Sequence, residues 1–176
     1  MKLYLICGKA RSGKDYFGGI LKKEEEKNNK KVCILKLTAP LYGWLEDYFN
    51  YDSKKDEKPR ELLQTIGFDL LQNKLKKKDF LLDYLITTIE VLDDYYDVGI
   101  ITDGRLIHEI EVLKAKYPLI KTILLTNEKD NLLTEKEKNH KTEVDLDNYK
   151  DFDYIIENKS INTLLLRAEE IVGGRK

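Results

Sequence analysis

One octapeptide near the start of the chain, GKARSGKD over residues 8–15, restricts the possible folds more than any other feature. Its spacing is G-x-x-x-x-G-K-D, which differs only at the last position from the phosphate-binding loop G-x-x-x-x-G-K-[ST]. A nonpolar run over residues 3–7 precedes it, and a helix-like segment over residues 14–27 follows it. A strand, a glycine-rich loop and a helix in this order are the context that the motif requires. The segment therefore predicts a phosphate-binding loop between a buried strand and a helix.

The residue types in this octapeptide suit a bound phosphate. Gly8 and Gly13 allow backbone angles at which successive N–H groups turn towards one anion. The N-terminus of the following helix adds partial positive charge, and Lys14 adds a mobile cation. Asp15 replaces the usual Ser or Thr that binds Mg2+, and a carboxylate is also a hard oxygen ligand for that ion. The alternative is a glycine-rich turn that only caps a helix, and the flanking pattern disfavours it.

Composition excludes several classes of protein. The chain has 176 residues, enough for one domain with a full core, and its net charge of −1 offers no basic field for nucleic acid. No nonpolar run could span a bilayer, and the sequence begins in a strand instead of a signal peptide. Cys7 and Cys33 lie in predicted core strands without the spacing of a metal site, which favours buried thiols. We expect a cytoplasmic monomer or homodimer that binds small molecules, and neither a membrane nor nucleic acid.

Strands and helices alternate along the chain. The short nonpolar runs typical of buried parallel strands are residues 3–7, 32–37, 98–102, 120–126 and 154–157. The helix-like segments are residues 14–27, 40–49, 59–76, 80–96, 106–116 and 161–172. This alternation predicts an α/β fold in which helices cover both faces of a five-stranded parallel sheet.

Two stretches interrupt the alternation. Residues 39–96 separate the second and third predicted strands and carry three helices. Residues 127–147 follow the fourth strand and are highly charged, without a sustained nonpolar face. A loop of this length in a compact domain is often a lid, although a solvated surface loop has the same composition. The core that remains comprises residues 1–38, 97–126 and 148–176, within a single domain.

Two candidate residues follow the third predicted strand, at the end of a parallel sheet where ligand phosphates bind. Asp103 is placed to hold Mg2+ through water, although an Asp before Gly is equally typical of a turn. Arg105 is one of five arginines among 31 basic residues. Its planar fork could bridge a donor and an acceptor phosphate, which favours a functional site here.

Two more candidates share one face of the helix predicted over residues 59–76. Arg60 and Gln64 lie four residues apart, which places them on the same side of the helix. Such a pair could hold a phosphate together with a base edge or a hydroxyl. The alternative is the solvated polar face of an ordinary amphipathic helix.

The chain resembles the bacteriophage-type deoxynucleoside monophosphate kinases in motifs along its whole length. Their loop ends in R-S-G-K-D, as do residues 11–15. Their segments P-R-x-L-L-Q-x-x-G, D-x-R, H-x-S-E, L-D-x-Y and F-D-Y-V-I-x-N are similar to residues 58–67, 102–105, 140–143, 146–149 and 152–158. The loop and the closing run also resemble animal-type phosphomevalonate kinase, but residues 58–67 favour the nucleotide kinase.

The resemblance implies a P-loop NTPase fold of the adenylate-kinase-like type. It makes residues 39–96 an acceptor-binding insertion and residues 127–147 a lid. It also implies transfer of the γ-phosphoryl group of ATP, with Mg2+, to a ribo- or deoxyribonucleoside monophosphate. Two alternatives stay open. One is a kinase of another phosphate ester such as phosphomevalonate, and the other is a regulator that binds nucleotide without transferring phosphate.

The resemblance further implies roles for individual residues. The residues expected to bind ATP are Gly8, Ala10, Arg11, Ser12, Gly13, Lys14, Asp15 and Tyr16. The expected catalytic residues are Lys14, Arg11 and Arg105. The residues expected to bind the acceptor are Arg60, Gln64, Arg105 and Glu143. Asp15 and Asp103 are expected to hold Mg2+.

Overall fold

The structure is a computed structural model that describes residues 1–52, 55–127 and 140–174. It has two compact units, of which the first is Met1–Leu35 with Leu92–Lys176 and the second is Lys36–Val91. Most of the predicted lid, residues 128–139, lies outside the described residues. Within the three described ranges, no helix combines the length and the nonpolar composition needed to cross a membrane.

A five-stranded parallel sheet forms the centre of the first unit. Its strands are β1 (Lys2–Cys7), β2 (Val32–Leu35), β3 (Val98–Gly104), β4 (Lys121–Thr126) and β5 (Tyr154–Glu157), in the order β2-β3-β1-β4-β5. Tyr4 of the central strand pairs with Ile100 on one side and with Lys121 on the other. The predicted five-stranded parallel α/β sheet is therefore confirmed, and the loop after β1 emerges from the middle of the sheet.

Strand β3 is longer than the sequence predicted. The nonpolar run ends at residue 102, but the strand continues to Gly104, which pairs with Cys7 after a shift of register. A Cβ atom at Gly104 would lie 2.8 Å from Sγ of Cys7, so only glycine fits at this point without a displacement. Close contact with β1, and not nonpolar periodicity, extends this strand.

The described part of the first unit contains four helices. They are α1 (Lys14–Lys27), α5 (Ile107–Lys116), α6 (Lys141–Val144) and α7 (Ile161–Gly173). Oγ of Ser160 accepts a hydrogen bond of 3.2 Å from the N–H of Thr163, and Gly174 ends α7 in the left-handed conformation. The sheet and helices bury a nonpolar cluster that includes Phe17 and Leu21. This core fixes the position of the loop that precedes α1.

The second unit contains α2 (Ala39–Tyr48), α3 (Arg60–Gln64), a π-helix (Thr65–Lys74) and α4 (Phe80–Leu92). The sequence predicted one α-helix over residues 59–76, and the structure instead changes to π-helical hydrogen bonding after Gln64. At the end of that segment, the N–H of Leu75 donates to the carbonyl oxygen of Leu70, five residues earlier. A change in hydrogen-bond spacing alters no residue type, so the nonpolar pattern did not reveal it.

Candidate active site

Positive backbone φ angles shape the loop between β1 and α1. The φ angles of Gly8, Arg11 and Gly13 are 146°, 62° and 96°. A Cβ atom at Gly8 would lie 2.3 Å from the carbonyl oxygen of Leu125, which makes glycine necessary there. Gly13 directly precedes α1 and caps it from the left-handed region, where side chains are disfavoured. The two glycines of the motif are thus explained by close packing and by backbone conformation.

Lys14 bends back over this loop. Its side chain is 7% exposed, and its Nζ donates hydrogen bonds of 2.7 Å and 2.6 Å to the carbonyl oxygens of Gly8 and Lys9. Oγ of Ser12 lies 3.5 Å from the same nitrogen. These three acceptors are uncharged oxygen atoms of the loop, and they hold the ammonium group against the loop backbone.

Asp15 lies in the first turn of α1 and contacts the end of β3. Its Oδ1 accepts a hydrogen bond of 2.8 Å from Oγ1 of Thr102, the residue directly before Asp103. A Cβ atom at Gly18 would lie 2.5 Å from Cγ2 of Thr102, so α1 approaches the strand closely here. The two acidic residues expected to hold a metal therefore come from neighbouring elements.

The carboxylates near the loop, Asp15 and Asp103, suit Mg2+ better than a metal ion that needs three or more protein ligands. In the described part of the chain, no three His, Cys, Asp or Glu side chains form a metal-binding group. Mg2+ commonly takes one or two carboxylates and completes its shell with water and substrate phosphates. Asp15, in contact with the residue before Asp103, fits this pattern.

Glu143 connects the phosphate loop with Arg105. The Glu143 side chain is buried, and its Oε2 accepts a hydrogen bond of 2.6 Å from the backbone N–H of Ala10. Its other oxygen, Oε1, forms an ion pair with the guanidinium group of Arg105. Three residues that lie far apart in the sequence, and that the sequence assigned to ATP and to the acceptor, are thereby brought together.

Glu109 holds the backbone of the turn that contains Arg105. Its Oε2 accepts hydrogen bonds of 2.8 Å and 2.9 Å from the N–H groups of Arg105 and Leu106. Burial raises the pKa of Glu109 to about 7, and the charge of Asp103 adds to this, against the lowering effect of the two N–H groups. Glu109 was not among the residues predicted from the sequence. A glutamate in the first turn of a helix, where a capping box places one, was the available signal.

Asn158, which had no predicted role, supports the loop from the end of β5. Its Nδ2 donates a hydrogen bond of 3.0 Å to the carbonyl oxygen of Ser12. Its backbone N–H donates to the carbonyl oxygen of Thr126 at 2.8 Å, which fixes the asparagine itself. The available signal was the position of Asn158 at the end of the closing motif, directly after a strand.

A cavity of about 310 Å³ lies beside the first half of the loop. Its wall comes from residues 8–12, from the end of β4 and from the segment before β5, and it includes Leu124, Leu146, Tyr149 and Ile155. Lys9 and Asp147 both line the cavity and form an ion pair of 2.8 Å. The cavity gives a ligand space next to the phosphate loop.

The remaining predicted site residues are exposed, lie in the second unit or lie outside the described residues. Arg11 and Tyr16 are exposed, with Arg11 in the loop and Tyr16 in the first turn of α1. Arg60 and Gln64 begin and end α3, in the second unit. Lys136 and Lys138, which the sequence placed in the lid, lie outside the described residues.

Comparison with solved structures shows the fold that this geometry indicates. A sugar kinase from Janibacter sp. HTCC2649 is 12% identical with a TM-score of 0.57, and the match covers 96% of this chain and 92% of that one. An APS kinase from Mycobacterium tuberculosis, in complex with AMPPNP and APS, is 10% identical with a TM-score of 0.58 and coverage of 98% and 95%. A shikimate kinase from Bacteroides thetaiotaomicron is 14% identical with a TM-score of 0.52 and coverage of 98% for both chains. At such low identity, these likenesses show a shared P-loop kinase fold.

Comparison of the sequence identifies the family. No curated protein matches the chain. The family model described as deoxynucleotide monophosphate kinase matches residues 42–167, which is most of the chain. The match begins after the phosphate loop, so it is independent of the motif that first indicated phosphate binding. The chain therefore belongs to the deoxynucleotide monophosphate kinase family and is a phosphotransferase.

Proposed function

We propose that this protein transfers the γ-phosphoryl group of ATP to a ribo- or deoxyribonucleoside monophosphate. One observation carries the proposal. The buried carboxylate of Glu143 contacts both the phosphate loop, at the N–H of Ala10, and the guanidinium group of Arg105. A donor-binding loop and an arginine suited to an acceptor phosphate thus share one support, as a reaction between two phosphate groups requires.

The donor phosphates would bind to the loop and to Lys14. The left-handed conformations of Arg11 and Gly13 turn the loop backbone around the space before α1, where N–H groups and the helix N-terminus attract an anion. The ammonium group of Lys14 would exchange its carbonyl partners for phosphate oxygens. Arg11 is exposed and would neutralise further charge on the donor.

Asp15 and Asp103 would hold Mg2+ beside the donor phosphates. When bound, this ion supplies positive charge that stabilises the phosphoryl group during transfer. The hydrogen bond between Asp15 and Thr102 fixes the carboxylate of Asp15 towards β3, at the strand end that also carries Asp103. These two carboxylates would thus hold the ion in place, and water and phosphate oxygens would be its other ligands.

The acceptor phosphate would bind to Arg105. Because this phosphate is already an anion at neutral pH, the reaction needs no general base, and catalysis consists of positioning and charge neutralisation. The family pattern predicts that Arg60 and Gln64 bind the same acceptor from α3. It also predicts that residues 127–147 close over the site and exclude water, which would suppress hydrolysis of ATP.

A coupled assay of ADP release tests the proposal. The purified protein is given ATP and Mg2+ with each of a panel of ribo- and deoxyribonucleoside monophosphates, and with phosphomevalonate as a separate acceptor. We expect turnover with one or more nucleotides. Turnover with phosphomevalonate alone would contradict the proposed acceptor while keeping the chemistry. Binding of ATP without turnover on any acceptor would contradict phosphoryl transfer and favour a regulator.

A further inference from the structure

We propose that Glu143 is a positioning residue, which holds the side chain of Arg105 at a fixed place relative to the phosphate loop. The inference deepens the proposed function and rests on it, because it gives the acceptor-side arginine its support. It also changes the role expected for Glu143, which the sequence placed among the residues that bind the acceptor.

The surroundings of Glu143 favour a positioning role over direct contact with the acceptor. Its side chain is 2% exposed, and each of its two oxygens already accepts a hydrogen bond or an ion pair from the protein. A buried carboxylate is stable only when it is paired in this way. An acceptor phosphate is also an anion, so a carboxylate in contact with it would repel it.

The pairing leaves Arg105 able to bind phosphate. A guanidinium group has five N–H donors, and the ion pair with Glu143 uses one of its terminal nitrogens. The backbone N–H of Arg105 is held separately by Glu109. With both ends of the residue fixed, its guanidinium group loses little conformational freedom when an acceptor binds. Such preorganisation lets the guanidinium group stabilise the charge of the transition state without first having to reorient.

A second carboxylate of the same short segment strengthens this arrangement. Asp145 lies two residues after Glu143, and its Oδ2 accepts a hydrogen bond of 2.8 Å from the backbone N–H of Ile107. The segment that contains both acidic residues thus contacts the turn that carries Arg105 at its side chain and at its backbone. The hydrogen bond from Ala10 to Glu143 then connects that turn with the donor side.

A double-mutant cycle between Glu143→Gln and Arg105→Lys tests the role in catalysis. The glutamine can still accept from the N–H of Ala10, but it loses the negative charge that orients Arg105. We expect Glu143→Gln alone to raise the KM for the acceptor and to lower kcat. The combined effect should be a decrease in kcat/KM of about tenfold or more. The dissociation constant for ATP, measured by calorimetry, should change by less than about twofold. In the Arg105→Lys background, Glu143→Gln should have little further effect.

Two controls separate this role from others. Glu111→Gln removes an exposed carboxylate from α5 and should leave kcat, KM and the melting temperature unchanged. If Glu143 instead contacted the acceptor directly, the effects of Glu143→Gln and Arg105→Lys on kcat/KM would multiply. Multiplicative effects would overturn the proposal, as would a variant Glu143→Gln with normal kinetics.

A spectroscopic measurement tests the same contacts without any reaction. The amide proton of Ala10 donates to a carboxylate, so its chemical shift in a 1H–15N spectrum reports that hydrogen bond. We expect this resonance to move upfield in Glu143→Ala and to move also in Arg105→Ala, because the unpaired carboxylate reorients. It should stay in place in Glu111→Gln. An Ala10 resonance unaffected by Arg105→Ala would overturn the positioning role, whereas failure of every acceptor in the assay would overturn the proposed function alone.

Discussion

Nδ2 of Asn158 donates a hydrogen bond of 3.0 Å to the carbonyl oxygen of Ser12, although the two residues lie 146 positions apart in the sequence. The contact joins the end of β5 to the second half of the phosphate loop. A Cβ atom at Gly13 would lie only 2.6 Å from the same nitrogen, so the side chain of Asn158 packs directly against the loop backbone. Support for the loop thus comes from the last strand of the sheet.

Replacement of Asn158 by Ala should weaken ATP binding. The variant loses the hydrogen bond to Ser12 and leaves a gap beside Gly13, so the loop is less well held before the nucleotide binds. We expect the dissociation constant for ATP to rise by about threefold to tenfold, from the loss of a hydrogen bond of ~1 kcal/mol. Isothermal titration calorimetry measures this. Asn162→Ala, at an exposed position of α7, is the matched control, and equal affinities of the two variants would contradict the prediction.

Two glycine-to-alanine changes, one in the loop and one in the helix that follows, should differ in their effects: the first should weaken ATP binding and the second should stabilise the fold. Gly13 has a φ angle of 96° and lies against Asn158, so Gly13→Ala should distort the loop and weaken ATP binding. Gly19 lies inside α1, and nothing lies within 4 Å of a Cβ atom placed there. Gly19→Ala should therefore stabilise the protein by about 0.5–1 kcal/mol through helix propensity. Urea denaturation and calorimetry on both variants check this, and a destabilised Gly19→Ala would be the contrary result.

Removal of the Lys14 charge should abolish most of the kinase activity. Methionine at this position keeps the length of the side chain but cannot neutralise phosphate oxygens. We expect kcat to fall by about 10²–10³-fold, which corresponds to ~3–4 kcal/mol of transition-state stabilisation. The coupled assay measures this change, and Lys23→Met on the exposed face of α1 is the control. Full activity of Lys14→Met would exclude the proposed role of this lysine.

The unfolding free energy should depend on pH through Glu109. Its pKa is raised from 4.5 to about 7 in the folded protein, so folding favours the protonated form. The stabilisation it contributes is complete below about pH 4.5 and is lost as the pH rises through about 7. Asp103 and Arg105 are the charges that act on it, and they oppose each other.

The comparison of wild-type protein with Glu109→Gln isolates this effect. The glutamine oxygen can still accept from the N–H groups of Arg105 and Leu106, but it does not titrate. Between pH 4.5 and 7.5, the unfolding free energy of the wild type should fall relative to the variant by on the order of 2 to 3 kcal/mol. Urea titrations at several pH values measure it, with Glu111→Gln as the control. Parallel pH profiles for wild type and Glu109→Gln would refute the assignment.

The regular elements near the loop were predictable because their signals are local. The sequence predicted a helix over residues 14–27 and a strand over residues 154–157, and the structure has both with the same bounds. The start of α1 follows from the glycine-rich loop motif that precedes it, and β5 from a short nonpolar run. In contrast, the change from α3 to a π-helix at Thr65 left no trace in the pattern, because it depends on hydrogen-bond spacing alone.

Sequence reasoning named those candidate site residues that residue type and chain position indicate. Lys14 and Asp15 follow β1, Asp103 lies at the carboxyl end of β3 and Arg105 follows it, and parallel pairing of the two strands brings their ends together. Glu109 and Asn158 were missed because their signals, a glutamate in the first turn of a helix and an asparagine directly after a strand, do not name the backbone groups that they hold. Those groups are the N–H groups of Arg105 and Leu106 and the carbonyl oxygen of Ser12.

The sequence by itself determined the alternation of strands and helices, the phosphate loop between β1 and α1, and the class of chemistry that such a loop performs. Those properties follow from residue types over short stretches, where periodicity and glycine geometry act locally. The tertiary structure alone decided that Glu143 lies between Ala10 and Arg105 and that Asn158 holds Ser12. Each of these contacts joins segments that only sheet order and packing bring within hydrogen-bonding distance.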